Sequence, residues 1–174
     1  MSPDMPRRKF GLIAATLLLL CPALAGAGTL PEPTGPVILT VSGGIGNTNA
    51  PGVARFDLDM LRSLGTREIS TSTIWTQGTQ DFVGVPMEAV LAAVDAKGAT
   101  IAARAVNDYE VLIPVEAWDQ NGPILAFERN GKLMSVREKG PLWVVYPYDS
   151  SVDLQTEVIY SRSIWQLDRI EIQP

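Results

Sequence analysis

Any chemistry in this chain is done without histidine and with a single cysteine, Cys21. That excludes Ser-His-Asp and Cys-His nucleophilic machinery, His-ligated zinc and His-ligated haem. Acid–base work would fall to Asp, Glu, Lys and Tyr, and a binding protein is favoured over a hydrolase. Spacing narrows the field further. Gly43-Gly44-Ile45-Gly46 follows an apolar run, but Asn47-Thr48-Asn49-Ala50-Pro51 does not open a helix. The dinucleotide fingerprint requires that helix, so a glycine-rich turn is predicted instead. Asp57, Asp59 and Glu68 lack the spacing of a calcium loop, and no metal-ligand set is assigned. Asn130 is followed by Gly-Lys and is no glycosylation acceptor.

The elements that must position the remaining side chains are short. Val37 to Val41 is an apolar strand. Asp57 can cap a helix whose stripe is Leu58, Leu61 and Leu64 and whose stop is Gly65. Arg67 to Thr73 alternates and is β-branched, as a strand requires. Pro86 to Ala96 is the best helix, with Met87, Val90, Leu91 and Val94 at helical spacing and Gly98 beyond it. Thr100 to Val106 and Tyr109 to Val115 flank a turn at Asn107-Asp108. Ile124 to Glu128 and Leu133 to Val136 flank Asn130-Gly131, a two-residue hairpin signal. Leu142 to Tyr146 is wholly apolar and reads as a central strand, and Ile164 to Ile172 closes the domain. The fold class expected is α+β: a single β-rich mixed α/β domain with two or three short helices.

Residues 1–25 read as a secretory signal peptide. Arg7, Arg8 and Lys9 precede the apolar run Phe10 to Pro22, and Ala23-Leu24-Ala25 fits a cleavage site, with Ala25-Gly26-Ala27 a second candidate and an uncleaved membrane anchor the alternative reading. Residues 26–36 read as a flexible lead and 37–174 as the domain. Removing 25 of 174 residues leaves 149, with 11 cations against 18 anions, a net charge of −7. Such a surface disfavours nucleic acid and anionic membrane as partners. The mature chain would have no cysteine and no disulfide, would be periplasmic, and would not insert into the membrane.

A series of short motifs then occurs in order: Phe82-Val83-Gly84-Val85-Pro86-Met87, Asn107-Asp108-Tyr109, Asn130-Gly131, Gly140-Pro141-Leu142, Tyr146-Pro147 and Arg162-Ser163-Ile164-Trp165. The series resembles the molybdopterin-binding domain of sulfite oxidases in a small periplasmic form, over roughly residues 55 to 172. Within that superfamily the chain looks most like the PruR-like periplasmic pterin-binding proteins, through Thr73-Ile74-Trp75, Asn107-Asp108-Tyr109, Lys139-Gly140-Pro141-Leu142-Trp143 and Trp165-Gln166-Leu167. The resemblance implies the sulfite oxidase-type fold and a part in pterin control of membrane-bound cyclic-di-GMP enzymes. The departures are informative. Sulfite oxidases hold molybdenum through a cysteine thiolate, whereas Ser70 to Trp75 occupies the corresponding region here, and a hydroxyl is a poor soft ligand. Trp165 stands where the oxidases place a phosphate-binding lysine, and Trp143 where arginine is typical. The resemblance therefore implies a pterin, of the neopterin or monapterin type, without dithiolene, metal or phosphate. The pterin is a ligand; no catalytic cofactor and no enzymatic activity are expected.

A pterin wants an aromatic face, a carboxylate for its donor edge and donors for its carbonyl. Trp75 and Trp165 are candidates for stacking, each with an alternative as a core residue. Asp108 is the candidate carboxylate, or else a turn former bonding its own backbone. Tyr109 walls the pocket or fills a strand face. Thr73 belongs to the same motif as Trp75. Arg137 and Lys139 bracket Glu138 and either donate to the ligand or form a solvated loop. Arg162 and Ser163 fall in the oxidases' phosphate region and are expected at the pocket mouth, and Tyr146 sits at a strand end. The partner expected is the periplasmic domain of a membrane sensor enzyme. Ligand binding is expected to order a rim loop, Gly140 to Pro147 or Asp149 to Ser161. Two alternatives remain open: a molybdopterin-dependent oxidoreductase with its cysteine ligand replaced, and an interaction module of the same fold without ligand.

Overall fold

In the computed structural model, residues 30–116, 118 and 122–174 are described; the signal-peptide reading lies outside them. Their elements run β1 (Leu39–Gly43), β2 (Ala54–Phe56), α1 (Leu58–Ser63), β3 (Arg67–Thr71), β4 (Gln80–Pro86), α2 (Met87–Ala93), β5 (Thr100–Ala105), β6 (Glu110–Pro114), β7 (Ile124–Arg129), β8 (Lys132–Leu133), β9 (Leu142–Val145), α3 (Glu157–Arg162) and β10 (Trp165–Gln173). Short 3₁₀ turns cover Val136–Glu138, Tyr148–Ser150 and Val152–Leu154. The domain is α+β and strand-rich, with a curled sheet.

β10 is the hub. One edge pairs antiparallel with β5. The other edge is shared: Trp165 and Leu167 face β9, and Arg169 to Ile172 run parallel to β1. The sheet forks where those partners change, at register shifts on either side of Leu167 and a left-handed Gln166 (φ 55°). Beyond the fork, β9 continues through β7 and β4 to β3, while β1 continues to β2. β9 is buried at all four residues, as its unbroken apolar sequence requires.

Local chemistry explains the element ends. Asp57 caps α1 by accepting from Met60 N. Asn130 and Gly131 both take positive φ (52° and 74°), the pair of angles that a tight hairpin turn needs. Gly43 (φ 85°) and Gly44 lie against the Ile172 and Lys97 carbonyls, where a Cβ would collide with backbone. The glycine-rich turn thus serves close chain packing.

Several expectations are corrected. The N-terminal lead, as far as it is described, is docked on the domain. Leu30 N donates to Thr48 O, Asn49 Nδ2 to Pro31 O, and both Thr34 N and Gly35 N to Asp57 Oδ2. A segment without periodicity can still be held by a carboxylate with a free oxygen. The strand over Leu133 to Val136 stops at Leu133, because Ser135 and Glu138 form a capping box that opens a 3₁₀ turn. The best helix ends at Ala93, with Asp95 left-handed at φ 49°. β2 and β4 were not anticipated: β2 has three residues, and β4 carries Gly84 and Pro86. Neither proposed rim loop is a simple loop, since Gly140 to Pro147 contains β9 and Asp149 to Ser161 contains most of α3. No described helix is long and apolar enough to cross a membrane.

Candidate functional site

A cleft of about 430 Å³ opens where the turn after β3, the β5–β6 turn, α3 and the start of β10 converge. Trp75, Tyr109, Tyr160 and Trp165 give it aromatic walls. Asn107, Ser161, Ser163 and Gln166 supply polar groups, and Ala105 and Ile164 are apolar filler. The lining side chains are indole, phenol, hydroxyl, amide and alkyl groups.

Trp75 is the centre of an aromatic cluster. Its ring meets Trp165, Trp143, Tyr160 and Tyr148 edge-to-face, with centroids 5.6, 5.8, 5.8 and 6.4 Å away. Such pairs contribute about 0.5–1.5 kcal/mol each beyond area burial. Thr73 is not in the lining. Its Oγ1 accepts from Trp75 N at 3.1 Å and bonds Thr76 Oγ1 at 2.8 Å, shaping the turn that presents the indole. Trp143 is fully buried and donates Nε1 to Ser163 O.

Ser163 reaches the cleft, but its hydroxyl is already engaged. It accepts from Tyr148 Oη at 2.7 Å and donates to Ile159 O at 2.8 Å. Lys139 lies outside the lining, with its ammonium 3.8 Å from the Trp165 ring centre and 5.2 Å from that of Trp143. Burial of its stem lowers the Lys139 pKa, and nearby Arg129 adds to that.

Besides Thr73 and Lys139, four more of the expected ligand residues are not in the cleft wall. Asp108 sits at φ 66°, which turns its carboxylate outward onto Arg169 at 2.9 Å. Its neighbour Asn107 faces the cleft, with Oδ1 accepting from Tyr109 N. Asp108 thus occupies the turn, but its carboxylate bonds Arg169 and not its own backbone, and it does not face the cleft as a ligand carboxylate would. Arg137 is exposed on the 3₁₀ turn before Lys139. Arg162 pairs with Glu116 at 3.3 Å. Tyr146 is 2% exposed, and burial holds its phenol well above the usual range while the Arg162 charge opposes that shift.

Tyr160, Asn107, Ser161 and Gln166 were missed. For Tyr160 and Ser161 a signal existed: Thr156 caps α3, its Oγ1 accepting from Ile159 N, with Glu157 in the first turn. Gln166 reaches the cleft through the break in β10, which no local pattern announces. Among the described residues no group of three or more His, Cys, Asp or Glu converges.

The residues do not fit a molybdenum–dithiolene group. The hydroxyls at the thiolate's expected place are committed elsewhere: Ser70 to Asp81, Thr71 to the Ser72 carbonyl and Asp149 N, Ser72 to Asp149 and Thr73 to Thr76. Among the described residues no cation lines the cleft to meet a phosphate. No family model matches the chain, and no curated protein matches it.

Proposed function

We propose that this is a periplasmic pterin-binding protein of the sulfite oxidase-type fold, similar to the PruR-like group, which binds without catalysis. It would report ligand occupancy to the periplasmic domain of a membrane-bound cyclic-di-GMP enzyme or similar sensor. The observation that carries the reading is the cleft itself: four aromatic side chains around neutral amide and hydroxyl groups. Such a lining suits a flat, uncharged, polar heterocycle better than a phosphorylated one. Its volume falls within the roughly 300–1,000 Å³ of small-molecule sites. Gln166 Nε2 donates to Val136 O and Asn107 Oδ1 accepts from Tyr109 N, which leaves the Asn107 amino group as a donor and the Gln166 carbonyl oxygen as an acceptor for the donor–acceptor edge of a pterin.

Micromolar binding needs about 8 kcal/mol. A stacked ring contributes about 0.5–1.5 kcal/mol beyond its buried area, and apolar burial supplies about 25 cal/mol per Å². Two or three buried hydrogen bonds add about 1 kcal/mol each. Signalling further requires that the sensor domain bind occupied and empty protein with different affinity. The test is a tryptophan-fluorescence titration of the mature protein with neopterin and monapterin, oxidised and reduced. Saturable quenching supports the reading, and no saturable change with any of them rejects it.

A further inference from the structure

We infer that the turn Tyr148–Ser150 sets the width of the cleft, with Asp149 the positioning residue for Trp75. Neither Tyr148 nor Asp149 lines the cleft, yet Tyr148 bonds the lining residue Ser163 and Asp149 bonds the strand end that leads into Trp75. Asp149 holds the Trp75 side. Its Oδ2 accepts from Ser72 N and its Oδ1 from Ser72 Oγ, both at 2.6 Å, while its own N–H donates to Thr71 Oγ1 at 3.1 Å. Those bonds fall where β3 ends and the turn carrying Trp75 begins. They fix the departure angle of that turn, and Thr73 fixes its interior.

Tyr148 holds the opposite side. Its hydroxyl donates to Ser163 Oγ, which in turn donates to Ile159 O, so the bond reaches both α3 and the residue two before Trp165. The Tyr148 ring also spans the gap, 6.4 Å from Trp75 and 5.5 Å from Tyr160. Gln155 Nε2 donates to Tyr148 O and anchors the turn itself. Two walls that are far apart in sequence therefore meet on consecutive residues. Bidentate acceptance by a carboxylate is directional, and charge-assisted bonds are the stronger kind. Loss of Asp149 would release one wall while leaving the other in place.

The effect on binding rests on the pterin reading; the effect on Trp75 does not. The experiment uses mature protein labelled with 5-fluorotryptophan, whose four tryptophans give four fluorine NMR lines, the Trp75 line assigned with W75F. In D149A the Trp75 line is expected to move or broaden while the Trp118 line stays, with cooperative thermal unfolding retained. Y148F is expected to move the Trp165 line instead. Neopterin affinity in D149A should fall, by no more than the roughly 2- to 12-fold that loss of the Trp75 stack itself would give. If D149A fails to fold, S72A removes one of the bonds, and the same line should shift less. An unmoved Trp75 line in a folded variant, or equal shifts of all four lines, overturns the inference. Wild-type protein that does not bind neopterin, with the Trp75 line still shifting in D149A, rejects the ligand and keeps the clamp.

Discussion

The Trp75 and Trp165 indoles meet edge-to-face, 5.6 Å between ring centres and 68° between planes, one from a turn and the other from the first residue of β10. Both rings line the cleft. Lys139 lies over the Trp165 ring from outside the cleft lining, at 3.8 Å. Replacement of Trp75 by leucine keeps apolar bulk and removes the stack. Neopterin affinity, read by isothermal titration, should fall roughly 2- to 12-fold, the range that a 0.5–1.5 kcal/mol stacking contribution gives. An unchanged affinity would place the ligand elsewhere.

Asp108 should matter little to ligand binding. Its carboxylate is 79% exposed and pairs with Arg169 on the surface, a class of contact worth about 0–1 kcal/mol. Asn tolerates the left-handed backbone found there. Asp108→Asn should therefore leave neopterin affinity within about twofold and stability within about 1 kcal/mol. A tenfold loss of affinity would return this carboxylate to the binding site.

Ser163 joins three elements, and its removal should show coupling. Ser163→Ala strands the Tyr148 hydroxyl, which is buried and whose pKa burial has pushed up to about 12. Chemical denaturation should show a loss of about 1–3 kcal/mol. In the double variant with Tyr148→Phe the two losses should sum to more than the measured total, since both remove the same bond. Strict additivity would show that the bond contributes nothing.

One carboxylate holds both the N-terminal segment and α1. Asp57 Oδ1 accepts from Met60 N at 2.9 Å, and Oδ2 from Thr34 N and Gly35 N at 2.7 and 2.8 Å. The bond from Met60 N, then that from Gly35 N, holds its pKa below the usual aspartate value. A carboxyl with a lower pKa folded than unfolded stabilises above the unfolded value, and that contribution is lost as pH falls through the folded one. Asp57→Ala should cost about 1–2 kcal/mol at neutral pH. Its stability should also fall less steeply than the wild type's as the pH drops below the ordinary aspartate range. Parallel urea-unfolding curves down to about pH 3 would contradict this assignment.

Much of the scaffold was legible because its signals are local. The Asp57 cap with its leucine stripe, Asn130-Gly131 between two strands and the unbroken apolar run of β9 each state a conformation within a few residues. The site was half legible. Trp75, Tyr109, Ser163 and Trp165 do line one cleft, while Thr73, Asp108, Arg137, Lys139, Tyr146 and Arg162 do not.

By itself the sequence determined which groups exist: no histidine, no thiol beyond Cys21, and aromatic and amide side chains at turns and strand ends. Only the tertiary structure decided which of them face one another. A left-handed Asp108 sends its carboxylate out and leaves Asn107 at the cleft. A break in β10 brings Gln166 to the cleft, and a turn far along the chain ties down the strand end before Trp75. Spacing along a chain sets the face of one element. The direction of a side chain at a turn, or at a strand that changes partners, is set by contacts from distant segments.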